Sequence, residues 1–189
     1  MAIAVAFAFA TGLSAQQPTS TPATPRTSGQ THHATEAKAA DHTFVEKMAH
    51  GGMAEVELGK LATKNGGSDA VKAFGQRMVD DHGKAGDELK TIAERKNIAW
   101  PTSLDSKSQA LHDKLAALNG DTFDRAYAKA MIADHKEDAA ELRAESKSGK
   151  DPDVKAWAAK TLPVVESHWS QAEKMNPAAV GTSGKKSRP

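Results

Sequence analysis

From Phe44 to Met175, apolar residues recur at spacings of three and four, and no stretch alternates with the period of two that a strand requires. That pattern restricts the chain to an all-α fold. Thr43 with Glu46 fits a capping box ahead of a first helix, whose apolar face carries Phe44, Met48, Gly52, Gly59 and Ala62. Asn65-Gly66-Gly67 stops it. Ser68 caps a second helix reaching about Asn97, with Val71, Phe74, Met78, Ala85, Leu89 and Ile92 along one stripe. Trp100-Pro101 closes that segment, and Ser103 opens a short third helix carrying Leu104, Leu111, Leu115 and Leu118. Asn119-Gly120 breaks it, and Asp121 caps a fourth helix to about Ser148. Asp151-Pro152 starts a fifth, with Val154, Trp157, Leu162, Val165, Trp169 and Met175. Four long helices, with a short one between the second and third of them, predict a ferritin-like four-helix bundle with a short extra helix in the crossover. The alternative is a plain up-down bundle with the short helix on its end.

The flanks read differently. Residues 1–15 hold an apolar run, Ala2 to Leu13, that has the length of a signal-peptide core and falls short of the roughly 20 residues that span a bilayer. The reading is a signal peptide cleaved near Ala15. No Lys or Arg precedes the run, which a start codon placed too late would explain. Residues 16–40 are rich in Thr, Pro, Ser, Gln and Ala and read as a disordered linker. The bundle then occupies 41–176, and 177–189 form a disordered tail. His32, His33 and His42, in or beside the linker, read as solvated polar residues.

Charge and composition exclude several functions. Lys and Arg number 25 against 24 Asp and Glu, so bulk charge draws no nucleic acid. The absence of cysteine excludes disulfides, thiolate nucleophiles, thiolate metal sites and a lipidated N-terminal cysteine. There is no Gly-rich phosphate loop, no nucleophile elbow and no H-E-x-x-H. No later segment is apolar enough to be transmembrane.

The second and fourth helices echo each other. AFGQRMVDDHGKAGDEL (Ala73 to Leu89) aligns without gaps on AYAKAMIADHKEDAAEL (Ala126 to Leu142), pairing Met78 with Met131, Asp81 with Asp134 and His82 with His135. Apolar neighbours at helical spacing turn His82, His135 and His168 toward the core. Glu55 follows Phe44 by eleven residues, close to three turns, and shares its face. Each long helix therefore aims one polar residue inward. Two readings satisfy these groups. In one, Glu55, His82, His135 and His168 bind a single Fe, Cu, Mn or Zn ion, with Met78 and Met131 as thioether candidates for copper. Asp81, Asp134 and Asp138 then stand close enough to orient imidazoles, those of neighbouring helices in the case of Asp81 and Asp134. In the other, the same groups form a structural hydrogen-bond network. A ferritin-type di-iron centre is not expected, because Val79, Ile132 and Val165 stand where Glu-x-x-His would need glutamate. Pro163 should kink the fifth helix, either wrapping it on the bundle or aiming His168 inward.

GGMAEVELGKLA (Gly51 to Ala62), RMVDDH (Arg77 to His82), FDRAYAKAMIADH (Phe123 to His135) and TLPVVESHW (Thr161 to Trp169) resemble the exported bacterial family called domain of unknown function 4142. The resemblance runs from Phe44 to Met175. It implies a ferritin-like fold and a periplasmic or outer-membrane-associated setting, and no established activity, substrate or cofactor. The leading expectation is a non-enzymatic, exported helical bundle with a stress-related role, whose core has the groups to bind one transition-metal ion. A metal-dependent redox enzyme and a module binding cell-envelope partners are the alternatives.

Overall fold

A computed structural model describes residues 29–175, with side-chain surroundings from residue 39 onward. The expected signal peptide, most of the linker, His32, His33 and the tail lie outside what it describes. Five helices follow in order: α1 (Gly29–Asn65), α2 (Asp69–Arg95), α3 (Ser106–Ala116), α4 (Gly120–Ser148) and α5 (Pro152–Met175). The described residues contain no strand, only one isolated bridge between Gly66 and Gly120.

α1 pairs with α2 and α4 with α5, giving two hairpins that pack face to face. End-to-end contacts fix the directions. Asp124, near the start of α4, accepts hydrogen bonds from the Gly67 and Ser68 amides at 2.8 and 2.9 Å, just before α2. Lys96, just past the end of α2, pairs with Asp151 at 2.6 Å, just before α5. The segment carrying α3 thus returns along the bundle, and α2 and α4 run parallel. This is the crossover connection expected, and it rules against the up-down alternative. A second tie closes the same end as the Lys96–Asp151 pair: buried Asp41 on α1 accepts from the amides of Lys150 and Asp151 in the α4–α5 turn.

Several helix ends differ from expectation. α1 begins at Gly29, so residues 29–40 are helical where a disordered linker was expected. The Thr43/Glu46 capping box does not form. Thr43 lies inside the helix, and its hydroxyl donates to the Ala39 carbonyl at 3.0 Å, the back-bonding a mid-helix threonine adopts. α3 is capped by Asp105, which accepts from the Ser108 amide at 2.9 Å, and so starts after Ser103 and Leu104. Asp121 does not cap α4. The helix begins a residue earlier, at Gly120, whose φ of +59° suits a residue without Cβ. Ser68 and Asp151 do cap α2 and α5 as expected.

The core has two parts. Leu58, Ala62, Val71, Phe74, Met78, Leu115, Phe123, Tyr127 and Met131 fill the end nearer the α1–α2 turn. Phe44, Met48, Leu89, Ile92, Leu142, Val154 and Trp157 fill the other. The polar residues singled out by sequence lie between the two. α5 runs through Pro163, which sits on its exposed face.

Candidate metal centre

His82 on α2, His135 on α4, His168 on α5 and Glu55 on α1 are all buried, with exposures of 7%, 0%, 0% and 1%. The imidazole centroids stand 5.5 Å (His82–His135), 5.2 Å (His82–His168) and 5.4 Å (His135–His168) apart. Each ring offers a ligand atom within 4.8 Å of those of the other two. The side chains therefore gather at one level of the bundle, each on the inward face that helical spacing predicts.

Hydrogen-bond chemistry assigns the protons. His135 Nδ1 lies 3.0 Å from the Met131 carbonyl oxygen. A carbonyl only accepts, so Nδ1 carries the proton and Nε2 presents a bare lone pair. His168 Nε2 lies 2.8 Å from Asp81 Oδ2. Burial pushes the Asp81 carboxyl up, but hydrogen bonds from His168 and Arg77 outweigh it and hold it below its ordinary range. Asp81 is thus ionised, His168 Nε2 donates to it, and His168 Nδ1 is bare. That nitrogen lies 3.2 Å from His82 Nε2, which donates to it. His82 Nδ1 in turn lies 2.7 Å from Glu55 Oε2. Burial, helped by Asp134, raises the Glu55 pKa well above normal, so Glu55 is a neutral acid that donates to His82. The result is a continuous relay from Glu55 through His82 and His168 to Asp81.

One pair stands outside the relay. Glu55 Oε1 and His135 Nε2 face each other at 3.4 Å and make no hydrogen bond with each other or with any other group. Both are acceptors in this protonation pattern, which explains why they do not bond. A buried imidazole lone pair without a donor is costly, and a cation is the partner that suits it.

The imidazoles are held neutral, as ligands must be. Burial lowers His82 and His168 to about 4, although nearby Asp134 and Asp81 pull the first, and Asp81 the second, upward. Burial, with His82 and His168 beside it, lowers His135 well below normal. The 3.2 Å between His82 Nε2 and His168 Nδ1 compares with roughly 3.4 Å between two nitrogens on a tetrahedral ion with bonds near 2.1 Å. The donor set therefore fits a metal ion.

Of the supporting residues, Asp81 orients an imidazole on a neighbouring helix. Asp134 hydrogen-bonds to no imidazole and instead groups with Glu55 and His135, with an oxygen within 4.8 Å of a candidate ligand atom on each. Asp138 is buried beside Glu55, and burial together with Glu55 raises it to about 9. Met78 and Met131 are fully buried in the core cluster toward the α1–α2 turn. Arg77, which pairs with Asp81 at 3.1 Å, went unnoticed in the sequence. Its signal was the i,i+4 spacing to an aspartate next to a core histidine.

The fold is similar to a solved structure titled "CopM in the Cu(I)-bound form", with a TM-score of 0.62 and 16% identity over 75% of this chain and 98% of that one. At this identity the likeness is one of fold. No curated protein sequence matches the chain. A family model described as "Domain of unknown function (DUF4142)" matches residues 26–175, most of the chain, and the protein belongs to that family.

Proposed function

We propose that this protein binds one transition-metal ion, copper(I) above others, through His82 Nε2, His135 Nε2 and His168 Nδ1 in the core of its bundle. The observation that carries the reading is the convergence of three buried, neutral imidazoles, with the His135 lone pair left without a donor. His135 and His168 already present bare nitrogens. His82 frees its Nε2 by taking the Glu55 proton on Nδ1 and releasing its own. Glu55 then becomes the carboxylate that orients His82, a role distinct from the fourth ligand that the sequence suggests. Binding releases one proton and so strengthens with rising pH.

Charge balance supports the monovalent ion. Cu(I) with an ionised Glu55 leaves the buried centre neutral, whereas a dication leaves a net charge whose burial is expensive. Imidazole ligands suit copper, and the similar fold captured with Cu(I) is consistent with it. The setting in this reading is the periplasm, on the strength of the apolar run at Ala2 to Leu13. No described helix is long and apolar enough to cross a membrane. The role in this reading is that of a binding protein.

A second reading rests on the Glu55, Asp134 and His135 group, whose two carboxylates favour a harder dication such as Zn or Mn. His135 has one free nitrogen, so the two arrangements compete for it. Anaerobic titration of the full chain with Cu(I), against parallel Zn and Mn titrations and elemental analysis, separates them. One tightly held Cu(I) per chain, with release of a proton, is the expected result. Well under one equivalent of every metal would reject the centre and leave a structural network. The mass of the secreted mature chain tests cleavage near Ala15.

A further inference from the structure

The α1–α2 interface uses glycine in two opposite ways. At Gly59 and Gly75 the helices cross so closely that a Cβ on either would meet the other's carbonyl oxygen, at 2.6 and 2.7 Å. At Gly51, Gly52, Gly83 and Gly86 an added Cβ would meet nothing within 4 Å. Packing gives no reason for these four, and glycine inside a helix is less stable than alanine. Their positions supply a reason. Gly51 and Gly52 stand one turn before Glu55 on α1, and Gly86 stands one turn after His82 on α2, with Gly83 next to that histidine. Because α1 and α2 are antiparallel, all four lie on the same side of the centre. Together they open a cleft of about 240 Å³ whose lining includes Glu55, His82 and Asp138 at depth and Glu57, Asp87 and Lys90 toward solvent. Met48 and Met53 also line it.

Resting on the metal reading above, we propose that this glycine-lined cleft is the channel through which the ion reaches the histidines, with Met48 and Met53 as passing ligands and Glu55 as the first fixed group it meets. Glu55, almost wholly buried and with no hydrogen-bond partner for its Oε1, lines this cleft beside His82, and an unpartnered carboxyl oxygen there suits a cation. Thioethers are neutral and bind Cu(I) softly, so they let a monovalent ion pass without the desolvation cost of entering a purely apolar wall.

The test is the rate of loading, measured by stopped flow on the full chain with Cu(I) supplied in acetonitrile. Gly52→Leu and Gly86→Leu put side chains into open space and should slow loading by about tenfold or more, a modest added barrier, while the final stoichiometry stays at the wild-type value. The double variant Gly52→Ala, Gly86→Ala guards against misfolding. Its methyl groups meet nothing, so it should fold at least as well as wild type and load at an intermediate rate. Met48→Leu with Met53→Leu should slow loading at unchanged stoichiometry. Leucine variants that load as fast as wild type overturn the channel and leave the centre standing. A wild-type chain that takes up no Cu(I) overturns the centre and the channel with it.

Discussion

Helices α2 and α4 carry nearly the same sequence pattern and run parallel in the bundle, yet they do different work. Phe74, Met78, His82 and Leu89 on one match Tyr127, Met131, His135 and Leu142 on the other, and all eight are buried. The differences sit around that shared core. Asp81 has Arg77 one turn before it, so it ionises and grips His168. Asp134 has Ala130 at the matching position, and burial raises its pKa despite the opposing pull of Lys107 and His82. Gly83 and Gly86 open α2 to the cleft, where α4 carries Lys136 and Ala139. One residue four places away thus decides whether a repeated aspartate is an anchor for an imidazole or a buried acid. The pattern common to both helices places the histidines, and the departures from it give them separate partners.

The sharpest break of that comparison removes each histidine in turn. His82→Ala and His135→Ala should each weaken Cu(I) binding by at least about 100-fold, more than loss of an outer partner does. Their metal-free stabilities should differ. His82→Ala strips partners from both Glu55 and His168, whereas His135→Ala strips none but a helix carbonyl. Denaturant unfolding should place the His82 variant lower by about 1–3 kcal/mol beyond the shared cavity effect. Equal stabilities would sink the relay. Next in size come the aspartates. Asp81→Asn should reduce Cu(I) affinity by about 10–100-fold, because His168 loses the carboxylate that fixes its tautomer. Asp134→Asn should leave Cu(I) affinity unchanged; an equal loss from both would favour the carboxylate-rich second arrangement.

The same buried groups set the pH response of the metal-free protein. His82 and His168 fall to about 4 when folded, so between about pH 4 and 6.5 the unfolded chain binds more protons and their contribution shrinks as pH falls. Asp138 rises to about 9 and Glu55 rises well above normal, so the folded chain holds protons that the unfolded one has released. Their contribution is fully present below the ordinary carboxyl pKa and is lost as pH climbs through the folded values. The two trends oppose each other in the acidic window, and only the second acts above about 6.5. Thermal melts should therefore show a broad maximum in mild acid and a decline toward pH 9. Asp138→Asn should flatten that decline, and a melt still rising from pH 7 to 9 contradicts the buried-acid assignment.

Much of this centre was legible in the sequence, because helical spacing alone fixes which face a residue occupies. His82, His135 and His168 have apolar neighbours at three and four residues, Glu55 follows Phe44 by about three turns, and each is buried where that spacing puts it. What spacing cannot express is the height and partner of a group on another helix. Asp81 reaches α5, and Glu55 serves His82 before any ion, through contacts between residues far apart in the chain. Helix ends failed for a local reason. Thr43 and Glu46 have capping chemistry, but a threonine bonds equally well to the turn behind it, and α1 continues back to Gly29. Gly52 and Gly59 read alike as parts of one apolar face, yet only Gly59 has a neighbour close beside it, since a glycine in sequence does not reveal what fills the space around it.

The smallest effect is also the most discriminating, because one kind of substitution should act with opposite signs at two sites. Gly75→Ala and Gly86→Ala both make α2 more like α4, which has Ala128 and Ala139 at the matching positions. At Gly75 the new methyl would meet the Ala62 Cβ and the Gly59 carbonyl oxygen, both at 2.7 Å, and forcing the helices apart should destabilise the fold by about 1–3 kcal/mol. At Gly86 it would meet nothing, so relief of backbone entropy should stabilise the fold by about 0.5–1 kcal/mol. Equilibrium unfolding in urea resolves both. If Gly86→Ala also destabilises, the cleft wall is packed more tightly than its geometry indicates, and the openness of α2 at that turn is not a difference from α4 at all.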